Sequence, residues 1–154
     1  MLDKPIRTVA TNRKAFHDYF ITDKLEAGVA LTGTEIKSVR AGQISLQDSF
    51  AKIEDGELWM HNVHIAPYAH GNRENVPPIR RRKLLLHREE IRRLERKVRE
   101  KGYTLVPVRV YLKGNRAKVE LALARGKRLY DKREAIAERD ASREIARALR
   151  RRNR

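Results

Sequence analysis

The side chains of this chain that are equipped for chemistry are cations, and they are grouped. Residues 76–101 hold eleven Lys/Arg against four Asp/Glu, and residues 125–154 hold twelve against five, so these segments carry +14 of a formal net charge of +16. Clustered guanidinium and ammonium groups attached to an otherwise nearly neutral domain are suited to binding phosphodiesters, which offer both negative charge and acceptor oxygens. Arg80-Arg81-Arg82-Lys83, just ahead of Leu84-Leu85-Leu86, reads as a phosphate-contacting patch in preference to a solvated loop. Beyond Arg125 the sequence has too few large apolar side chains to bury and too much like charge to stay compact. A folded domain over 1–125 and a basic tail over 126–154 are expected, the tail disordered alone and ordered on a polyanion.

Other chemistries have little to build on. There is no cysteine, which excludes disulfides, thiolate metal sites and thiol nucleophiles. Of the histidines, only His61 and His64 are close in sequence, and a spacing of three on a strand points them to opposite faces. No metal or cofactor is expected. Neither a Gly-rich phosphate loop nor a nucleophile elbow is present; Asp18 and Asp23 form no clustered motif, and Glu54, Asp55 and Glu57 read as turn charges. The reading is therefore a binding protein, not an enzyme, with no small-molecule substrate. Aromatic residues are few, and Phe20, Phe50 and Trp59 fall at strand positions that favour core packing, which points to RNA shape, backbone and loop contacts over single-strand coating. No apolar run approaches the ~18 residues of a membrane span and no signal-like segment opens the chain, so a cytoplasmic protein without a membrane role is expected.

The elements that must carry these cations are mostly strands. Residues 49–53 and 58–65 alternate around Asp55-Gly56, a pair suited to a tight primed turn. Residues 105–112 and 117–123 form a second hairpin, with Val106, Val108, Val110 and Leu112 predicted on one face and Pro107 marking an edge or bulge. Residues 19–21 and 28–31 add a strand or a bent pair. Thr32 and Glu35 have capping-box spacing ahead of a short helix that Gly42 ends, and Ile91, Leu94 and Val98 line a longer helix that Gly102 stops. The order predicts a mainly β fold: a Greek-key barrel of the oligonucleotide-binding type with two or three flanking helices and a flexible basic C-terminal tail.

Several segments, in order, resemble the bacterial small protein B, or SsrA-binding protein, family. They include Asn12-Arg13-Lys14-Ala15-Phe16-His17-Asp18-Tyr19-Phe20, Leu25 through Gly42, Ile65-Ala66-Pro67-Tyr68, Arg82 through His87, Gly102 through Pro107, and Ala124-Arg125-Gly126-Lys127-Arg128 into Asp131-Lys132-Arg133. The resemblance implies an oligonucleotide-binding-type barrel that binds the tRNA-like domain of transfer-messenger RNA (tmRNA). It further implies that, with alanyl-tRNA synthetase and elongation factor Tu engaged through that RNA, such a protein helps deliver it to ribosomes stalled on messages lacking a stop codon.

By motif position the resemblance assigns RNA-facing roles to Asn12, Glu26, Leu86 and Lys118, with Arg13, Lys14, His17, Tyr19, Lys37 and Arg40 as neighbours. It assigns ribosome engagement, at the decoding centre and empty message channel, to Lys127, Arg128, Asp131, Lys132 and Arg133. Glu26 is informative because an acid beside phosphates is costly unless it accepts hydrogen bonds from base or ribose donors; otherwise it is a partner to a base such as Arg40. Asn12 either pairs with a base edge or caps a turn, and Leu86 lies beside two leucines that suit a core. A helix over residues 131–149 would span about 28 Å. The alternative on the residues alone is a basic ribosomal or ribosome-assembly protein with a similar barrel.

Overall fold

The computed structural model describes residues 5–69, 75–127 and 147. Its strands are β1 (Ile6–Thr11), β2 (Tyr19–Val29), β3 (Ile44–Ser45), β4 (Phe50–Glu54), β5 (Glu57–His61), β6 (His64–Ile65), β7 (Arg82–Leu85), β8 (Thr104–Lys113) and β9 (Arg116–Gly126). The helices are α1 (Arg13–Asp18), α2 (Gly33–Arg40) and α3 (Arg88–Lys101).

The antiparallel pairings run β8-β4-β5-β7-β2-β9 and return to β8, while β1 adds to the free stretch of β8 and β3 pairs with β6 apart. Closure between β4 and β8 rests on a single pair, Ala51 with Leu105. A mainly β fold with a closed ladder and three helices agrees with the predicted barrel architecture. Asp55 and Gly56 both have positive φ, at 51° and 77°, as the β4–β5 turn requires.

The β8–β9 hairpin is buried on both faces because it serves two cores. One face meets the main core of leucine, valine and isoleucine side chains; the other holds Val106, Val108, Ala122 and Ala124 against Ala15 of α1. Small side chains at 122 and 124 let the helix approach the strands closely. The predicted single face for Val106, Val108, Val110 and Leu112 is corrected here. A register shift between Pro107 and Arg109 leaves Val108 extra, so Val110 and Leu112 turn into the main core.

The helix ends follow their capping residues. Thr32 Oγ1 accepts from the Glu35 amide at 3.2 Å and the Glu35 carboxylate accepts from the Thr32 amide at 3.0 Å, completing the expected box. Gly42 and Gly102 adopt the left-handed conformation at φ 75° and 65°. β1 and α1 lie outside the elements predicted, and 58–65 splits into β5 and β6 at Asn62, whose φ is 60°.

A correction concerns Arg82 and Arg80 within the Arg80-Arg81-Arg82-Lys83 run expected as a phosphate patch, whereas Arg81 and Lys83 keep exposed side chains. Arg82 begins β7 pointing inward, is 0% exposed, and donates to Glu35 at 2.8 Å and to the carbonyls of Val63 and Pro78. Arg80 pairs with the same carboxylate. Arg81 lies 3.9 Å from the Trp59 ring and pairs with Glu54, and Lys83 pairs with Glu57. Arg80 and Arg82 tie α2 to β7, and this internal commitment was invisible while the four residues were read as a charge run.

Candidate nucleic-acid interface

The candidate residues fall into two groups at opposite ends of β2. Tyr19 and Gly28 are nine residues apart on that strand, roughly 30 Å if fully extended.

At the far end, β7, β2 and β9 place Leu85, Gly28 and Lys118 side by side, with Glu26 two residues earlier on β2. Glycine leaves room for a close approach here, since a Cβ at position 28 would lie 3.3 Å from that of Leu85. Glu26 is half-exposed. Its carboxylate accepts from the Tyr111 hydroxyl, which crosses over β9 from β8, and pairs with Lys113 Nζ at 3.6 Å. The Tyr111 hydrogen bond is the main cause holding the Glu26 carboxyl below its usual range; burial opposes it, and Lys113 and Lys118 assist. Burial first, then the bond to Glu26, raises Tyr111 above its ordinary range, so it remains a neutral donor. Arg40 is not the partner of Glu26; its guanidinium donates to the Asn115 carbonyl at 3.4 Å, and its own carbonyl accepts from Arg7 at 2.8 Å. A groove beside these residues is lined by Gly28, Leu31, Gly33, Leu85, Asn115 and Lys118.

Leu86 is half-buried against the main core, and Leu85 before it is exposed. Leu86 therefore contributes to the core while part of its surface stays accessible. Lys37 stands 5.4 Å over the Tyr68 ring.

At the near end, Asn12 caps α1. Its Oδ1 accepts from the Ala15 amide at 3.1 Å and its Nδ2 donates to the Pro107 carbonyl at 3.0 Å, with the residue buried. The amide is thus engaged within the fold, where it aims α1. Arg13 is exposed, and Lys14 pairs with Asp48 at 2.7 Å, which raises its pKa. The His17 side chain is 87% exposed and 2.9 Å from Asp18. Tyr19 packs against the smaller core. Lys127, where β9 ends, donates to the Phe16 carbonyl at 3.2 Å. Arg128, Asp131, Lys132 and Arg133 lie outside the described residues.

Sequence reasoning missed Tyr111 and Lys113 as partners of Glu26, although alternation along β8 puts both beside Arg109 on one face. It also placed Phe20 and Phe50 in the core, whereas both rings are exposed. Among the described residues no group of His, Asp and Glu is arranged to hold a metal, and no helix is long and apolar enough to cross a membrane.

A ring of antiparallel strands flanked by three helices, with cations at both ends of one long strand, defines a mainly β protein whose surface suits a polyanion. The family model described as "SmpB protein" matches residues 9–151. The SsrA-binding protein of Carboxydothermus hydrogenoformans is 62% identical over 144 residues, 94% of this chain and 97% of that protein. The SsrA-binding protein of Desulforudis audaxviator is 61% identical over 150 residues, 97% of this chain and 98% of that one. A solved chain from a structure described as "tmRNA-SmpB: a journey to the center of the bacterial ribosome" is 54% identical, with a TM-score of 0.65 over 80% of this chain and 85% of that chain. The chain belongs to the SmpB protein family.

Proposed function

We propose that this protein is an RNA-binding factor of trans-translation, not an enzyme. It binds the tRNA-like domain of tmRNA, promotes alanylation of that RNA, and accompanies it to stalled ribosomes together with alanyl-tRNA synthetase and elongation factor Tu. Family membership over nearly the whole chain, relatives named for SsrA binding, and a structural neighbour described with tmRNA and the ribosome support this reading.

The observation that carries it at the level of side chains is the ionised Glu26 on a basic rim. Tyr111 and Lys113 stabilise the carboxylate without burying it, so it remains available to donors on a base edge or ribose. Lys118 and Arg40 supply phosphate contacts around it, and Leu85 and Leu86 give an apolar edge. Arg13, Lys14, His17, Tyr19 and Lys37 extend the RNA-facing surface, with Asn12 positioning α1. The tail, including Lys127, Arg128, Asp131, Lys132 and Arg133, becomes helical in the decoding site and empty message channel. The protein works in the cytoplasm.

The test is binding of wild type, Glu26→Ala, Glu26→Gln and Lys118→Ala to the tRNA-like domain and to an unrelated structured RNA over a salt series. Glu26→Ala should bind the tRNA-like RNA about tenfold more weakly, with Glu26→Gln closer to wild type. Lys118→Ala should reduce the salt slope by about 0.7–0.9. Equal affinity of wild type for both RNAs would remove the proposal.

A further inference from the structure

The cations of α3 fall into two kinds. Lys97 Nζ lies 2.8 Å from Asp23 of β2, and a guanidinium nitrogen of Arg99 lies 2.6 Å from Glu95 one turn earlier, so both are engaged within the fold. Arg88, Arg92 and Arg96 are exposed, and among the described residues no carboxylate stands within ion-pair distance of any of them. The three are spaced four residues apart and form one row along the helix. Like charges at this spacing repel and weaken a helix. The helix is held regardless by Ile91 and Leu94, buried in the main core, and by Val98 packed against it. A row that works against its own helix points to a ligand.

The spacing suits a phosphodiester backbone. Each step of four residues rises about 6 Å along a helix, close to the interval between successive phosphates on one strand of an RNA duplex. A guanidinium meets a phosphate with two parallel N–H donors, so three arginines at this interval match three phosphates in succession. Contact of this kind takes in the shape and charge of a duplex and leaves its bases unread.

The row also begins at a definite place. Arg88 follows Leu85 by three residues, and Leu85 lies beside Gly28 at the Glu26 end of β2. The Lys97–Asp23 pair lays the later turns of α3 beside an earlier part of β2, so the row leads away from that end. An acidic protein helix would offer charges at the same interval, but it would compete for the space beside Gly28 and Leu85 with the RNA already assigned there.

We infer that α3 is a second, sequence-blind contact for the tRNA-like RNA, in which Arg88, Arg92 and Arg96 each bind one of three successive phosphates on one strand of a duplex arm. The inference rests on the RNA-binding reading and extends its Glu26 site along the helix.

The experiment measures affinity of the full chain for a tRNA-like-domain transcript over a salt series, with phosphate-ethylation interference mapped on the same transcript. The proteins are wild type, R88Q/R92Q/R96Q and R88K/R92K/R96K. Loss of three phosphate contacts should lower the slope of log affinity against log salt by about 2–3 and weaken binding about tenfold or more. Three successive phosphates at which ethylation blocks wild-type binding should become indifferent to it in R88Q/R92Q/R96Q. The lysine variant keeps the charge and should keep the slope. The melting temperature of R88Q/R92Q/R96Q should not fall, because repulsion within the row is removed. An interference map identical to that of wild type would overturn the inference, even with uniformly weaker binding, since that is a long-range effect of charge. Unchanged affinity for the transcript with reduced affinity for purified ribosomes would assign the row to another partner and equally overturn it. Wild type that does not discriminate between the tRNA-like RNA and an unrelated structured RNA would instead remove the functional reading beneath it.

Discussion

Tyr111 on β8 reaches over β9 to donate its phenolic hydrogen to Glu26 on β2, joining strands that are not neighbours at this point of the ring. The tyrosine is 3% exposed and its acceptor is half-exposed, so a buried group presets the charge of a surface one.

That relationship sets a pH dependence. Removing the hydroxyl with Tyr111→Phe takes away the main cause of the lowered Glu26 pKa, so the carboxyl rises toward its ordinary value. If ionised Glu26 contacts RNA, the acid limb of the binding profile moves to higher pH in the variant, with affinity near neutrality falling by about three- to tenfold. Affinity for the tRNA-like RNA measured from pH 7 down to 4 checks this; superimposable profiles would mean that Tyr111 does not tune the contact.

The Glu35–Arg82 pair should matter to stability in a lopsided way. Arg82→Met leaves a buried carboxylate with Arg80 as its remaining guanidinium partner, and frees the carbonyls of Val63 and Pro78. Breaking such a buried pair from one side costs about 3–5 kcal/mol, whereas replacing both partners with apolar groups recovers part of the loss. Urea denaturation of Arg82→Met, Glu35→Leu and the double variant gives the comparison, and simple additivity in the double variant would contradict coupling.

Acid should weaken the same junction. Burial pushes the Glu35 carboxyl up, but hydrogen bonds from Arg80, the Thr32 amide and Arg82 outweigh it and leave the group below its ordinary 4.5. A carboxyl with a depressed folded pKa contributes stability that is complete above its unfolded value and is lost as pH falls through the folded one. Melting temperature should therefore decline below about pH 4.5, and less steeply in Glu35→Gln. Parallel declines in both proteins would place the acid sensitivity elsewhere.

The proposed tail predicts a separation of functions. Asp131→Ala with Lys132→Ala should leave affinity for the tRNA-like RNA within about twofold of wild type, because the proposal assigns reading of that RNA to the barrel, and should abolish tagging of the nascent chain on stalled ribosomes. An RNA-binding assay beside a tagging assay checks both halves, and a large loss of RNA affinity would contradict the separation.

Much of the fold was legible where chemistry is local. The Thr32–Glu35 box, the Gly42 and Gly102 stops and the Asp55-Gly56 turn each depend on residues within a few positions of one another, and each formed as read. The bulge at Pro107 was also legible, because a proline cannot donate to a ladder. Its consequence for Val110 and Leu112 was not, since a face inverts only when a particular partner strand fixes where the extra residue falls. The candidate residues were nameable from motif order, but not their arrangement at two ends of β2.

What the sequence by itself determined, then, is the inventory: a near-neutral β domain, two basic segments, caps and turns, and the family motifs in their order. Tertiary structure alone decided which cations are available to a partner. Arg82 and Lys118 are both basic residues in strands, yet pairing turned Arg82 inward onto Glu35 and left Lys118 half-exposed beside Glu26 and Gly28. It also put every phenylalanine at the surface. The physical reason is that charge and hydrophobicity are properties of a side chain, whereas desolvation depends on long-range strand pairing that brings together residues such as Glu35 and Arg82, 47 positions apart.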